Sequence, residues 1–266
     1  MYVWDSRTGK RRALLSPGLT GSFQAVAVAS SKPLVVAGTF YGRIRMWDME
    51  TWAEDQDLEY AHRALDTTRA INAISVSSDG GIVVAGLDDG SVLEWNMAQM
   101  YRNIRSSVHK SRINAVAVAP DGSFYATAAE DGAILRRDLD GGQEAVISKA
   151  GSGPAVNALA IAPGGAWLAT GDNSARLRRV DLANQAGRYT IREHVGKIRD
   201  VSISPNGEQI GTVGGDGVLN IRDAGTGQRS MMMRVDSQLW CCTWLADGKS
   251  IAVGGGYEIY VFDIRG

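Results

Sequence analysis

A segment of about 42 residues recurs along the chain, and this repeat limits the possible fold more than any other feature of the sequence. Each copy ends in an apolar or basic run followed by Asp or Asn. Seven such endings occur, at Asp5, Asp48, Asn96, Asp138, Asp181, Asp223 and Asp263. Successive endings lie 40 to 48 residues apart. A period of this length is typical of folds that are built from equal supersecondary units.

Every full copy predicts the same order of strands and turns. Residues 113–138, INAVAVAPDGSFYATAAEDGAILRRD, show an alternating strand, a turn, a second strand, a second turn and a third strand that ends on Asp. The first turns read SSDG, APDG, APGG, SPNG and LADG, and their Asp-Gly, Asn-Gly or Gly-Gly pairs supply the positive φ of tight hairpins. Stretches between copies, such as RRALLS and GRYTIRE, predict a fourth, outer strand. The sequence therefore predicts an all-β fold, a β-propeller of four-stranded antiparallel blades.

The repeat resembles the WD-repeat (WD40) family in its closing Trp-Asp, its Pro-Asp-Gly turn and its period, and the resemblance covers essentially the whole chain. It implies a buried, hydrogen-bonded tetrad of His, Ser or Thr, Asp and the closing Trp in each blade. Two copies match in part and have Arg in the Trp position, with His109, Thr127 and Asp131 in one and His194, Thr212 and Asp216 in the other. The closing residues Trp47, Asp48 and Trp95 belong to copies without the matching Ser or Thr. The resemblance assigns these residues, and His62 near the start of a copy, structural roles.

The count of strands leaves two arrangements open. The chain begins on a third strand, residues 2–5, continues through RRALLS, and then runs through six copies that end near 48, 96, 138, 181, 223 and 263. If the first two strands form their own blade, residues 1–266 are a single domain, a seven-bladed propeller that lacks part of its first blade. If RRALLS instead completes the last copy, the propeller has six blades. We expect the first arrangement, because seven blades are the commonest number in the family.

Composition narrows the class of function. A formal net charge of −1, with Lys and Arg spread along the chain, argues against a nucleic-acid or anionic-membrane partner. The apolar runs are far shorter than the ~20 residues of a membrane helix, and the first residues lack a signal-peptide pattern. The only cysteines, Cys241 and Cys242, are adjacent and are expected to be free, buried structural thiols. These features predict a cytoplasmic, intracellular protein.

Arginines are frequent in the third strands of the repeat. We expect their stems to cover apolar surface and their guanidinium groups to pair with neighbouring Asp side chains at the blade rim. The alternative is a phosphate- or RNA-binding patch, against which the absence of interleaved aromatic residues argues. The residues concerned are Arg136, Arg137, Arg176, Arg178, Arg179 and Arg222.

No motif of a metalloprotease, a serine hydrolase or a phosphate-binding loop occurs, so we expect no catalysis, no metal and no cofactor. In the resembling family, the face at the mouth of the channel binds partners, and it consists of inner-strand starts and second turns. The resemblance implies a scaffold that binds a protein or peptide, within a multiprotein complex. The residues that map to this face are Gln24, Phe40, Tyr41, Asn72, Asp88, Arg112, Asn114, Glu130, Asn157, Asn173, Arg199 and Trp240.

Arg199 and Trp240 are the strongest candidates in this set, because a charge or a large aromatic ring near the axis has no packing requirement. Two alternatives stay open. One is a propeller enzyme or small-molecule binder with its site in the central channel, and the other is a structural subunit or sensor domain of a larger assembly.

Overall fold

The computed structural model is all-β. The residues that it describes are 1–5, 8–16, 22–54, 69–99, 101–105, 108–184, 186–256 and 258–264. His62, one of the expected structural histidines, lies outside these ranges. Within these ranges, twenty-four strands form seven antiparallel sheets, one of two strands, two of three and four of four. Within the described ranges there is no helix with the length and hydropathy that crossing a membrane requires.

The chain divides into two compact units, and the first spans residues 1–122. Its strands are β1 (Tyr2–Trp4), β2 (Arg11–Leu14), β3 (Phe23–Val28), β4 (Leu34–Thr39), β5 (Ile44–Asp48), β6 (Ile71–Val76), β7 (Ile82–Leu87), β8 (Val92–Asn96), β9 (Tyr101–Arg105) and β10 (Ile113–Val118). β1 pairs with β2, β3 to β5 form a three-stranded sheet, and β6 to β9 form a four-stranded sheet.

The second unit spans residues 123–266. Its strands are β11 (Phe124–Ala129), β12 (Ile134–Asp138), β13 (Glu144–Ser148), β14 (Val156–Ile161), β15 (Trp167–Asp172), β16 (Arg176–Asp181), β17 (Ala186–Arg192), β18 (Ile198–Ile203), β19 (Gln209–Gly214), β20 (Val218–Asp223), β21 (Arg229–Arg234), β22 (Leu239–Trp244), β23 (Ser250–Gly255) and β24 (Glu258–Asp263). β14 to β17 and β18 to β21 form four-stranded sheets, and β22 to β24 form a three-stranded sheet.

The predicted repeat matches the strands closely. Each third strand from β5 onward ends on the predicted Asp or Asn. The predicted outer strands RRALLS and GRYTIRE form β2 and β17. Because β2 pairs with β1, the first two strands make a sheet of their own, and the described residues form seven sheets.

The first turns have the backbone that their glycines predict. The φ angles of Gly80, Gly122, Gly165, Gly207 and Gly248 lie between 64° and 73°. This left-handed region is open to glycine without steric cost. In the second turns Gly90, Gly132 and Gly217 also have a positive φ. In the second turn between β15 and β16 the equivalent residue is Ala175, with a φ of 64°.

Neighbouring sheets in each unit pack closely, because the second strand of one sheet carries a small residue under the inner strand of the next. A Cβ atom on Gly86 of β7 would lie 2.3 Å from Cγ2 of Ile113 on β10. A Cβ atom on Gly171 of β15 would lie 2.3 Å from Cγ2 of Ile198 on β18. Both isoleucines are fully buried, so the sheets approach to a distance that only glycine permits there.

Two of the third-strand arginines behave as expected. The guanidinium carbon of Arg136 lies 4.1 Å from the centroid of the Phe124 ring, and that of Arg179 lies 4.4 Å from the Trp167 ring. Each also forms an ion pair with the Asp at the end of its own strand. Their guanidinium groups therefore stack on aromatic rings while their charge is paired with Asp, so the pairing is as expected and the apolar contact comes from the guanidinium group.

The two cysteines are free, and they differ in burial. Cys242 is buried, as expected, but Cys241 is exposed. The expectation that both thiols are buried is wrong for Cys241, because successive residues of β22 point to opposite faces of the sheet.

Candidate functional site

Five inner strands have a β-bulge at their second residue. The bulged residues are Gln24, Asn72, Asn157, Arg199 and Trp240. A bulge leaves one residue out of the ladder and re-aims its side chain, and bulges recur next to functional sites. All five belong to the set that the repeat assigns to the mouth of the channel. Asn114, the sixth inner-strand residue of that set, is the half-buried second residue of β10.

In the first unit, two aromatic rings of the set touch each other. The rings of Phe40 and Tyr41 pack edge to face, with centroids 5.3 Å apart, and both side chains are half exposed. They lie in the turn between β4 and β5. Gln24 is exposed as well, and its amide donates to the Ser22 hydroxyl at 2.8 Å.

The polar members of the set in the first unit are joined by a hydrogen bond between neighbouring repeats. Nη2 of Arg112 donates to Oδ1 of Asn72 at 2.8 Å, and this orients the Asn72 amide. Asp88 is exposed in the second turn of the same sheet as Asn72, and its backbone N–H donates to the Ala70 carbonyl at 3.2 Å. These contacts hold backbone and side chains of adjacent strands in register.

In the second unit, Asn157 connects a turn to the next inner strand. Its amide donates to Oδ1 of Asn173 at 2.8 Å and to the Ile198 carbonyl at 3.0 Å. Asn173 is exposed, and so is Glu130 in the preceding repeat. The asparagines therefore have a clear structural use, while Asn173 also presents its side chain to solvent.

Arg199 and Trp240 form the most distinctive contact of the set. The guanidinium carbon of Arg199 lies 4.2 Å from the centroid of the Trp240 ring, and the ring is 49% exposed. Nε of Arg199 is buried and has no hydrogen-bond partner among the described residues. The pair is thus a partly desolvated cation held against an aromatic surface that faces solvent.

A shallow polar depression of about 520 Å³ borders this pair. Its walls come from the second turn after β19 and from the segment that leads into β22, and the lining residues are Gly215, Asp216, Gly217, Arg234, Val235, Asp236, Ser237 and Gln238. A Cβ atom on Gly215 would lie 3.9 Å from Nε of Arg199, which places the depression beside Arg199.

Beneath the depression lies a buried network around His194. Nδ1 of His194 is 3.0 Å from Oδ1 of Asp216, and its Nε2 is 3.0 Å from Oγ1 of Thr212. The Thr212 hydroxyl in turn donates to Oε1 of Glu193 at 3.3 Å. Nε of Arg222, which stands in the Trp position, donates to Oε2 of Glu193. Glu193 and Arg222 therefore replace the closing Trp with a buried ion pair.

The network has a carboxylate at each end. Asp216 lies next to Nδ1 of His194, and Glu193 lies beyond the Thr212 hydroxyl. Burial by itself raises the pKa of Asp216, but hydrogen bonds from the Val195 amide and His194 outweigh it and hold that pKa below its usual value.

The remaining residues with assigned structural roles are mostly buried. Trp47, Trp95, His109 and Thr127 are buried, and Asp131 accepts a hydrogen bond from the Ala133 amide at 2.9 Å. Oδ1 of Asp48 accepts from the amides of Glu50 and Thr51, so this closing Asp caps the turn that follows its strand. No group of three or more His, Cys, Asp or Glu in the described part of the chain is arranged to hold a metal ion.

A family model described as "WD domain, G-beta repeat" matches residues 59–96, 102–135, 145–178 and 187–223, which together make up more than half of the chain. The chain belongs to the WD40 family. A chain in a structure titled "Crystal Structure of Mitotic Checkpoint Complex" is similar to this WD40 protein in fold, with a TM-score of 0.81. The two are 18% identical, and the match covers 96% of this chain and 81% of the other. No curated protein sequence is significantly similar to this WD40 chain.

WD40 propellers are typically non-catalytic and generally mediate protein–protein interaction. The identity to the mitotic checkpoint chain is too low to carry more than the fold, and 1810 chains of solved structures match this chain. A fold shared so widely does not name a partner.

Two features of the site lie beyond the sequence prediction. The first is the ion pair of Glu193 with Arg222. Its signal in the sequence is an acidic residue directly before the WD40 histidine, His194, together with an Arg in the Trp position. The bulges depend on the register between two strands, for which the sequence has no comparable signal.

Proposed function

We propose that this WD40 propeller is a non-catalytic scaffold that binds a protein or peptide at the face formed by its inner-strand starts and second turns. The bulge that recurs at the second residue of five inner strands carries this proposal. In these five repeats it gives different side chains, from Gln24 to Trp240, the same position in the inner strand without disturbing the core. Such an arrangement suits a recognition surface whose residues vary while the fold is kept.

Arg199 and Trp240 are the proposed anchor of this surface. Trp and Arg are the residues most enriched at binding hot spots, where they bury large areas and desolvate a charge against a partner. The stack already orders both side chains, so less conformational entropy is lost when a partner binds. The depression beside Arg199 offers room for a side chain of the partner.

The aromatic pair Phe40 and Tyr41 is a second proposed contact, in the first unit. Both side chains are half exposed and orient each other edge to face. Exposed aromatic rings that are held in place are frequent anchors of protein interfaces.

Several broader features belong to the same proposal. We place the protein inside the cell, in a multiprotein complex, with no nucleic-acid or membrane partner and no cofactor. The two free cysteines fit a reducing compartment. A near-neutral formal net charge of −1 fits a protein partner better than a polyanion.

The test is affinity capture with mass spectrometry from a lysate of the organism that encodes the chain. The wild type is compared with the double variant Arg199→Glu, Trp240→Ala. The matched control is Arg229→Glu, Met232→Ala, which changes an exposed Arg and an exposed apolar side chain that contact each other on β21. We expect the wild type and the control to capture the same partner and the Arg199 and Trp240 variant to lose it, and we expect binding of the purified partner to follow the same order.

Equal capture by all three proteins contradicts the proposed face. In that case the structural-subunit alternative, with contacts along the rim of the sheets, becomes the better reading. A stoichiometric metal or small molecule that co-purifies and depends on Arg199 would instead favour the channel-site alternative.

A further inference from the structure

Three arginines of the second unit stack on aromatic rings, and they differ in whether an acidic side chain pairs with them. The guanidinium carbons of Arg136, Arg179 and Arg199 lie 4.1 to 4.4 Å from the centroids of their rings. The first two also pair with the Asp at the end of their own strand, at 2.8 and 3.3 Å. Within the described ranges, Arg199 forms no ion pair, and its Nε has no hydrogen-bond partner. Arg199 therefore lacks the counter-charge that the other two have.

The acidic residue nearest to Arg199 in the sequence does not supply this charge. Asp200 follows it directly, but the Asp200 carboxylate accepts hydrogen bonds from the backbone amides of Val201 at 2.8 Å and Cys242 at 2.9 Å. The carboxylate is thus tied between β18 and β22. Arg199 as a whole is half-buried, so its guanidinium group has lost part of its hydration without gaining an acceptor in return.

The charges in the depression beside Arg199 leave this cation to decide what binds there. Arg234 and Asp236 are exposed in the wall and contribute one charge of each sign. The other acidic residue of the wall, Asp216, is already occupied, because its carboxylate accepts from two backbone amides and lies 3.0 Å from Nδ1 of His194. A ligand group that enters the depression therefore meets the unpaired charge of Arg199.

Apolar side chains border the same depression. Val195 is 85% exposed, more than any other large hydrophobic side chain in the described part of the chain. Its backbone amide donates to Oδ2 of Asp216 at 3.0 Å, which places Val195 at the wall of the depression. The ring of Trp240, stacked on Arg199, is 49% exposed. The site thus combines one unpaired cation with apolar surface that is open to a partner.

We propose that the depression beside Arg199 binds an Asp or Glu side chain of the partner, and that an apolar residue next to it in the partner's sequence packs on Trp240 and Val195. This inference rests on the proposed function, because it names what the scaffold recognises at its anchor. The carboxylate accepts charge-assisted hydrogen bonds from the guanidinium group, as Asp138 and Asp181 do from the two paired arginines. The apolar residue excludes water from this pair and buries the exposed ring.

Other ligand chemistries fit the site less well. A Lys or Arg of the partner would be repelled by Arg199. A neutral apolar side chain in the depression would remove more water from the guanidinium group without supplying an acceptor. An acidic side chain is the protein group that supplies both the opposite charge and the acceptor.

The test starts from short random peptides displayed on phage, which are selected on the immobilised full chain. The selected peptides are synthesised with a fluorescent label, together with versions in which each acidic residue is replaced by its amide. Fluorescence anisotropy measures binding of both versions to the wild type, to Arg199→Gln and to Trp240→Ala. The matched control is Arg229→Gln, which changes an exposed Arg of β21 that does not line the depression. Circular dichroism and a thermal melt verify that each variant is folded.

We expect the selected peptides to carry Asp or Glu next to an apolar residue and to bind the wild type and Arg229→Gln equally. Replacement of that acidic residue by its amide should weaken binding to the wild type at least about tenfold, because a charge-assisted pair is lost. Arg199→Gln should weaken binding of the acidic peptide by a similar factor. The amide version should bind Arg199→Gln no more weakly than the acidic version does, since the pair is already absent. Trp240→Ala should weaken binding of both versions.

Two kinds of outcome overturn the inference, and they differ in what they say about the proposed face. Peptides that lose binding to Trp240→Ala but need no acidic residue, or bind Arg199→Gln as tightly as the wild type, would overturn the acidic specificity and leave the proposed face intact. Peptides whose binding neither variant changes, or a selection that enriches no peptide, would contradict the proposed face and the inference with it.

Discussion

The guanidinium carbon of Arg199 lies 4.2 Å from the centroid of the Trp240 ring, so a side chain of one inner strand covers the exposed ring of the next. Both residues are the bulged second residues of their strands, β18 and β22. The contact therefore arises from the repeat itself, which sets equivalent positions of neighbouring sheets side by side. Its location at the surface implies that it contributes little to stability.

Replacement of either residue should leave the fold almost unchanged. We expect Arg199→Ala and Trp240→Ala each to lower the free energy of unfolding by less than about 1 kcal/mol, because a cation–π pair whose ring is half exposed contributes about that much. Urea unfolding followed by circular dichroism measures the change. A loss of more than about 2 kcal/mol would mean that the pair is part of the core, and loss of a partner in the variants would then reflect unfolding.

The ion pair between Glu193 and Arg222 should be far more important for stability. The Glu193 side chain is fully buried and the Arg222 side chain is 11% exposed. We expect Glu193→Gln to lower the free energy of unfolding by about 3 kcal/mol, because it leaves a buried guanidinium without its counter-charge. Urea unfolding of the variant and the wild type at neutral pH gives the difference.

The control for that prediction is a pair nearer the surface. Asp138→Asn removes the partner of Arg136 on β12 and should change the free energy of unfolding by less than about 1 kcal/mol. The double variant Glu193→Gln, Arg222→Met removes both buried charges and should recover about half of the loss. Equal effects of Glu193→Gln and Asp138→Asn would contradict the role assigned to the buried pair.

Local patterns in the sequence are sufficient to predict most of the fold. The third strands end on Asp48, Asn96 and Asp138 as predicted, since the two-residue alternation and the Asp-Gly turns are signals carried by adjacent residues. The pairing of β1 with β2 follows from the same repeat. These features need no knowledge of what lies across the sheet.

Features that depend on distant neighbours are not predictable in this way. The ion pair of Glu193 with Arg222 joins residues 29 positions apart and departs from the family pattern, in which a Trp stands at that place. The position of each bulge depends on the register of two strands.

Ala175 should be a point of backbone strain that a single substitution relieves. Its φ of 64° is in the left-handed region, where other second turns of the protein have glycine. We expect Ala175→Gly to raise the free energy of unfolding by about 0.5 to 1 kcal/mol, since the unfavourable contact of Cβ disappears. Gly132→Ala is the reverse change in an equivalent turn, with φ 81° and the new Cβ 2.7 Å from the Gly153 carbonyl oxygen. Gly132→Ala should therefore lower the free energy of unfolding. Urea unfolding of the two variants must show changes of opposite sign in the free energy of unfolding.

Asp200 should make part of the stability depend on pH in the mildly acidic range. It is half-buried on β18, where its carboxylate accepts from the Val201 amide at 2.8 Å and from the Cys242 amide at 2.9 Å. Burial raises the pKa of Asp200 to about 6, although these two hydrogen bonds lower it in part. The folded protein therefore binds this proton more tightly than the unfolded chain, in which the pKa of Asp is about 3.9.

The sign of the effect follows from that difference. Below about pH 4 the carboxyl is protonated in both states, and its contribution to stability is complete. As the pH rises from about 4 to about 6 the unfolded chain ionises first, so this contribution is lost, and above about pH 6 no further change occurs. Asp200→Asn cannot ionise, and the other acidic groups are common to both proteins. We therefore compare the free energy of unfolding of the wild type with that of Asp200→Asn, measured by urea unfolding at each pH. The wild-type value minus the variant value should fall by up to about 3 kcal/mol between pH 4 and pH 7. A constant or rising difference would show that burial does not raise the pKa of Asp200.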